Sequence, residues 1–313
     1  MNDLEFKQQD LDSKILSNKL YLPKVEFYIT NVCNLACEGC NRFNNYKFSG
    51  YQKWEELREN YTAWSKEIKI HQISILGGEP LLNPDFMQWL SGIRNLRPKA
   101  VLRVTTNGYR LNMIKGLYQF MLDHQHNTYI SVGIHNKMHK ELIIDKVKDF
   151  LQSPDQFEFD GQNAYQQYLN ITDKNNVSIK IEYNWWFHQG ALIKNLDPAQ
   201  FTLHQSDVKK AHDICHSKTC HQFMNGKLYK CGAVALFPEF AKQHEILLSP
   251  EDQDLMMGYL PMTINDTDQQ KQEFINNLPN AIPQCKFCPD EYHGKQIYAE
   301  EKKVVFHRNK QYE

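Results

Sequence analysis

The residues in this 313-residue chain best able to do chemistry are its eight cysteines, and they fall into two groups. Cys33, Cys37 and Cys40 form a C-x3-C-x2-C triplet. Three thiolates so close together can wrap one corner of a cubane iron–sulfur cluster and leave its fourth iron without a protein ligand. A zinc site usually uses paired C-x2-C spacing and a fourth protein ligand. Cys215, Cys220, Cys231, Cys285 and Cys288 form the second group, and no cysteine lies between Cys40 and Cys215. Two metal centres in two parts of the chain are expected. In a reducing compartment such cysteines read as ligands before they read as disulfides.

The second group is one cysteine larger than a fully ligated cluster requires. Spacing alone leaves open which four of the five complete the set. A structural zinc ribbon is the competing reading, because two distant cysteine pairs suit tetrahedral zinc. Asn225-Gly226, between Phe223 and Leu228–Tyr229, predicts a hairpin turn within this group.

The elements that must position these groups follow from periodicity. Val25–Thr30, Gln72–Leu76, Ala100–Thr106, Thr128–Ile134 and Val177–Tyr183 are rich in β-branched and aromatic residues and read as strands. Trp54, Leu57, Tyr61, Trp64 and Ile68 recur at helical spacing within Tyr51–Ile68. Pro84–Leu96, with Asn83 as N-cap, is expected as a second helix, and Leu111–Leu122 and His139–Leu151 as two more. Strands alternating with helices imply right-handed βαβ units and a parallel sheet. Residues 238–283 are polar with few periodic signals and read as an irregular excursion, and Lys303–His307 as a short terminal strand or a frayed tail.

Three short segments end predicted strands, where α/β folds place their sites. Gly77-Gly78-Glu79-Pro80 follows the second, Thr105-Thr106-Asn107-Gly108 ends the third, and the triplet of cysteines follows the first. Glycines permit close backbone approach, and carbonyl oxygens beside a carboxylate favour a cation.

Composition bounds the function. Hydrophobic residues make up 41% of the chain, enough for a sizeable core, and the net charge of −1 gives no reason to expect a nucleic-acid or anionic-membrane partner. No apolar run approaches the ~20 residues that span a bilayer. The first ten residues carry no apolar signal region, so a cytoplasmic location is expected.

Taken together, the cysteine triplet, Gly77–Pro80 and the Thr105–Gly108 turn resemble the radical S-adenosylmethionine (SAM) superfamily over roughly residues 25–190. The resemblance implies an α/β fold: a partial (β/α)6 TIM-like barrel with a small C-terminal cysteine-rich iron–sulfur domain. Its divisions would be a lead-in at 1–24, the partial barrel at 25–190 and an auxiliary-cluster domain at 191–313. It implies a [4Fe–4S] cluster on Cys33, Cys37 and Cys40 whose open iron binds the amino and carboxylate groups of SAM. Gly77, Gly78, Glu79 and Pro80 would meet the SAM ammonium group, with Asn107 in the neighbouring turn. Ser131 would contact the ribose or carboxylate, and the fifth strand near Ile179–Tyr183 the adenine. One departure is Gly39, where the family often has an aromatic residue.

C-x10-G-x4-C from Cys215 through Gly226 to Cys231, followed by Cys285-Lys-Phe-Cys288, resembles the twitch domain, a shortened SPASM-like module that holds an auxiliary [4Fe–4S] cluster. The resemblance makes Cys231, Cys285 and Cys288 the firmest ligands and fits Cys215 by spacing, with Cys220 the spare unless it replaces Cys215. The family then implies delivery of one electron by an external reductant such as flavodoxin or ferredoxin. SAM cleavage to a 5′-deoxyadenosyl radical and hydrogen abstraction from a substrate C–H bond follow. The expected outcome is net oxidation of a small metabolite, with the auxiliary cluster as electron acceptor, conduit or structural anchor. A peptide- or protein-modifying enzyme and a non-catalytic iron–sulfur or zinc protein are the alternatives. His135 and His188 are candidate bases and also read as ordinary polar residues. Trp185, Trp186 and Phe187 read as barrel core.

Overall fold

The structure is a computed structural model and describes residues 20–37, 40–135, 137–151, 154–163, 166–183, 203–291 and 304–306. Its strands are β1 (Leu20–Tyr28), β2 (Leu35–Cys37), β3 (Ile68–Leu76), β4 (Val101–Thr106), β5 (Thr128–Ile134), β6 (Pro154–Asn163), β7 (Gln166–Asp173), β8 (Ser178–Tyr183), β9 (His221–Met224), β10 (Lys227–Tyr229) and β11 (Val304–Phe306). Nine of them form one sheet in the order β10-β9-β1-β3-β4-β5-β8-β7-β6, and β11 pairs with β2 apart from it. From β9 to β8 all neighbours run parallel, while β10, β7 and β6 pair antiparallel at the two ends. This is a mixed α/β fold with a largely parallel sheet, the class expected for a partial barrel.

Alternation of side chains divides the sheet into two unlike faces. Phe27, Ile75, Val104, Ile130 and Ile179 lie in one transverse register and are buried in the principal core with Trp64 and Trp89. The opposite face is polar: Glu26, Ser74, Arg103 and Tyr129 are successive register partners across β1, β3, β4 and β5. Thr105, Ser131, Lys180 and Asn170 form the next row. The helices at Trp54–Glu67 and Phe86–Leu96 supply Trp54, Tyr61, Trp64, Trp89 and Leu90 to the apolar side, while at the end of the opposite face Tyr28, Leu76 and Met224 are buried with Leu236, Phe237 and Phe240 of the helix Gly232–Gln243.

The five expected strands are present, with β1 starting at Leu20 rather than Val25. The hairpin at Asn225-Gly226 is also present, both residues having positive φ (50° and 71°), which a primed turn requires. It does not stand apart from the main sheet. Val25 and Phe27 pair with His221 and Phe223, and the turn is held by Trp64 Nε1 donating to the Gly226 carbonyl (2.8 Å) and Gly226 N–H donating to Tyr61 Oη (3.2 Å).

Four expectations are corrected. The second helix begins at Phe86 after Asp85, not after Asn83. Asn83 instead donates to the carbonyls of Ile29 (2.7 Å) and Gln52 (3.0 Å) and accepts from Asp85 N–H (2.8 Å), so its side chain serves the β1 loop. The segment Leu111–Leu122 is split by Gly116 (φ 81°) into a short 3-10 turn at Leu111–Met113 and a helix at Leu117–Asp123. Residues 238–283 are not irregular. They take part in helices at Gly232–Gln243, Pro250–Met257 and Asp268–Asn277, the last opened by a Thr267–Gln270 capping box. Finally, the antiparallel pair β6–β7 is an element that the sequence pattern did not announce. No helix among the described residues is long and apolar enough to cross a membrane.

Candidate metal centres

The loop that carries the first three cysteines leaves β1 and is tied to the end of β3. Ile29 N–H donates to the Leu76 carbonyl (2.9 Å), Gly78 N–H to Thr30 O (2.7 Å) and Glu79 N–H to Val32 O (2.7 Å). The two glycines are what allow this. A Cβ on Gly77 would stand 2.5 Å from the Thr30 carbonyl oxygen, and one on Gly78 would collide with the Val32 carbonyl. Close backbone approach is therefore used at this point to lay one loop on the other. Beyond it, Cys33 Sγ accepts from Leu35 N–H (3.4 Å), Cys37 ends β2, and Cys40 N–H donates to the Cys37 carbonyl (3.2 Å). Cys40 Sγ lies 3.6 Å from Asn44 Oδ1.

Glu79 is fully buried, and its carboxylate is engaged by the protein rather than left open beside the loop. It accepts from Leu81 N–H (3.1 Å), Thr106 Oγ1 (2.6 Å) and Asn107 N–H (2.7 Å). Burial pushes its pKa up to about 7, against the pull of those donors and of Arg110. Asn107, thus fixed, donates from Nδ2 to Asn34 Oδ1 (2.8 Å) and lies 3.9 Å from Cys33 Sγ. The structure brings Cys33, Gly77–Glu79 and Asn107 together. Asn34, Asn44 and Thr106 are partners that sequence reasoning missed; only Thr106, inside the strand-end turn, carried a signal.

Ser131 sits on the polar face of the sheet, where its Oγ accepts from Arg103 Nη2 (2.9 Å), and the same nitrogen pairs with Glu182 Oε2 (2.8 Å). Among the described residues Ser74 Oγ, Arg103 Nε and Gln222 Nε2 on this face are buried without a hydrogen-bond partner. His135 is half-buried just past the end of β5. His188, with Trp185–Phe187 and Gly39, lies outside the described residues.

The second group assembles from three segments. Cys215 follows the helix Val208–Asp213, with its N–H on the His212 carbonyl (3.0 Å). Cys231 follows β10 at the N-terminus of the helix Gly232–Gln243, whose dipole favours a thiolate. Cys285 and Cys288 lie in and just after a 3-10 turn at Pro283–Phe287, linked by Cys288 N–H to Cys285 O (3.0 Å). These four line one cavity of about 30 Å³ with Lys230 and His212. Burial pushes the Cys231 thiol up to about 11 and Cys288 well above the ordinary value, with the neighbouring thiols adding to the rise.

Cys220 is not part of this set. It precedes β9 and faces Glu26, Lys24 and Arg42, with burial and Glu26 pushing its thiol up to about 12. Among the described residues no three His, Cys, Asp or Glu side chains are placed to hold a metal ion. The four thiols ring a hollow, and that donor set is the one a fully ligated iron–sulfur core uses.

The sequence pattern of the Radical SAM superfamily matches residues 27–157. The GTP 3′,8-cyclase of Pectobacterium atrosepticum is 36% identical over 90 residues, 26% of this chain and 26% of that protein. The chain thus spans about a quarter of the length of the curated relatives it matches. Among solved structures, BtrN in complex with AdoMet and 2-DOIA has a TM-score of 0.45 and 15% identity, covering 86% of this chain and 92% of BtrN. SuiB of Streptococcus suis, bound to S-adenosylmethionine, has a TM-score of 0.34 and 18% identity, covering 48% of this chain and 36% of SuiB.

Proposed function

We propose that the chain is a radical SAM enzyme that abstracts hydrogen from a C–H bond of a small polar metabolite, with net oxidation of that substrate. One observation carries the reading: Glu79 ties Asn107 to the Gly77–Pro80 loop, and that loop lies on the backbone that leads into Cys33. When bound, a [4Fe–4S] cluster on Cys33, Cys37 and Cys40 together with SAM supplies the reductive cleavage that yields a 5′-deoxyadenosyl radical.

The chain's own residues hold and orient. Asn107 Nδ2, within 3.9 Å of Cys33 Sγ, is a donor toward that sulfur, and such donors tune a cluster's potential. Gly77 and Gly78 keep the loop seated where any side chain would lift it. On the polar face, Arg103, Ser74 and Gln222 offer donors with capacity to spare, which suits an oxygen-rich substrate better than an apolar one. Cys215, Cys231, Cys285 and Cys288 are assigned to an auxiliary [4Fe–4S] cluster, which provides a place for the second electron. A flavodoxin- or ferredoxin-like protein is the expected source of the first.

The test is anaerobic reconstitution with iron and sulfide, followed by dithionite and SAM. Release of 5′-deoxyadenosine by the wild type but not by C33A is the expected result; its absence from a fully loaded protein overturns the assignment. About eight irons per chain supports two clusters, and about four irons with one zinc supports a zinc ribbon at the second site.

A further inference from the structure

Lys230 and Lys271 are both buried, 4% and 3% exposed, but their surroundings differ. Lys271 has an ordinary counter-charge: its Nζ is 2.6 Å from Glu67 Oε2 and 2.7 Å from the Ile264 carbonyl, 5.5 Å from the Trp64 ring centroid. Lys230 donates its Nζ to the Leu278 carbonyl, and among the described residues no carboxylate pairs with it. Its nearest ionisable company is the set of thiols, Cys215, Cys231, Cys285 and Cys288, with which it lines one cavity.

An unpaired buried ammonium is strongly disfavoured, and a carbonyl dipole is a weak substitute for an anion. Protonated thiols give it no counter-charge. Lys230 nevertheless lines the cavity those thiols surround, as does His212, whose Nε2 is buried without a hydrogen-bond partner. Two polar groups therefore face the hollow with unmet capacity. A tetrathiolate iron–sulfur core is net negative and becomes more so on one-electron reduction, so it would satisfy both.

We infer that Lys230 is the buried counter-cation of the second cysteine site and favours the reduced state of the cluster held there. The inference rests on the auxiliary-cluster reading of that site. It assigns Lys230 a positioning and potential-setting role, not a place among the ligands. Removing its charge withdraws more stabilisation from the more negative, reduced cluster than from the oxidised one.

The experiment uses the full chain with Cys33, Cys37 and Cys40 all replaced by alanine, so that only the second site loads. Iron, sulfide and zinc are counted, and the cluster is then titrated with dithionite and mediators under spectroscopic observation. At the solution potential where half of the parent's cluster is reduced, K230M should show a reduced-to-oxidised ratio at least about tenfold lower, equivalent to about 59 mV for one electron. K230R should stay within about twofold of the parent by the same relation. K218M, at an exposed lysine on the rim of the same cavity, should move the ratio less than K230M, because solvent screens it.

A K230M ratio within about twofold of the parent overturns the inference while leaving the auxiliary cluster in place. If K230M loses the cluster with its circular dichroism unchanged and K230R keeps it, the charge is needed to hold the anionic core, in support. If both lose it, the packing of this lysine matters and not its charge, which overturns the inference. A parent that loads zinc or nothing fails at the metal count, which overturns the auxiliary-cluster reading and this inference with it.

Discussion

Replacing Glu79 by glutamine should change how the stability of the metal-free chain depends on pH. The Glu79 carboxyl is fully buried and its pKa is raised from 4.5 to about 7, by burial first and against the opposing pull of Asn107, Thr106, Leu81 and Arg110. Between those two values the folded chain holds a proton that the unfolded chain has lost. Stability from this group therefore falls as pH rises through that window, and the deficit is complete above about pH 7. From pH 5 to pH 8 the loss comes to about 2.5 kcal/mol. Glutamine cannot ionise, so the variant lacks this component. At pH 5 it should be less stable than the wild type by about 1–3 kcal/mol, because its NH2 must face one of the donors Asn107 N–H or Leu81 N–H. At pH 8 that deficit should shrink by about 2.5 kcal/mol and can vanish. Urea unfolding of both proteins at the two pH values, with thiol reductant and chelator present, measures the difference, from which the shared histidines and thiols cancel. A difference that stays constant to within about 0.5 kcal/mol refutes the reasoning, since Glu79 would then ionise near its ordinary value inside the fold.

Three further outcomes follow from the same geometry. Reconstituted C215A, C231A, C285A and C288A should each carry about four irons fewer per chain than the wild type, and C220A should carry the full load, as read by iron and sulfide analysis. G78A places a methyl group against the Val32 carbonyl, and should lower stability by about 2–3 kcal/mol and reduce iron loading at the first site, seen by thermal unfolding and metal count. R103M and E182Q should each cost about 2 kcal/mol, less than a fully buried pair would, because these side chains are 17% and 18% exposed. The double variant should fall short of the sum by about 1 kcal/mol in a double-mutant cycle.

The cysteine loop, Gly77–Pro80 and the Asn107 turn were legible because each is local in sequence and follows a strongly β-patterned run. What they do to one another was not. Glu79 meets Thr106 and Asn107 from 27 and 28 residues away, and nothing in the tetrapeptide says that its carboxylate turns inward. Five cysteines could not be reduced to four by spacing, since Cys220 lies only five residues beyond Cys215. In the fold it is β9, by pairing with β1, that sets Cys220 beside Lys24 and Glu26, while the other four line one cavity. The helices after Cys231 escaped notice for opposite reasons. Gly232–Gln243 carries Pro238, which ordinarily argues against a helix interior, and its apolar face buries Leu236, Phe237 and Phe240 all the same. Asp268–Asn277 is so polar that its only local signature is the cap, Thr267 with Gln270.

The sheet order has a consequence for the two cysteine groups. Because β9 lies beside β1, the loop holding Cys40 and the turn holding Cys231 are neighbours although they belong to opposite ends of the chain. Arg42, two residues past Cys40, crosses that boundary. It donates to Gln222 Oε1 across 180 residues of sequence (2.6 Å), pairs with Glu26 on β1 and leans 5.8 Å over the Tyr28 ring. Gly232, next to Cys231, is a glycine at the point where a Cβ would collide with the Arg42 guanidinium. Arg42 thus links the Cys40 loop to Glu26 and Gln222 on the polar face. The two cysteine-bearing segments are therefore joined through one half-buried guanidinium.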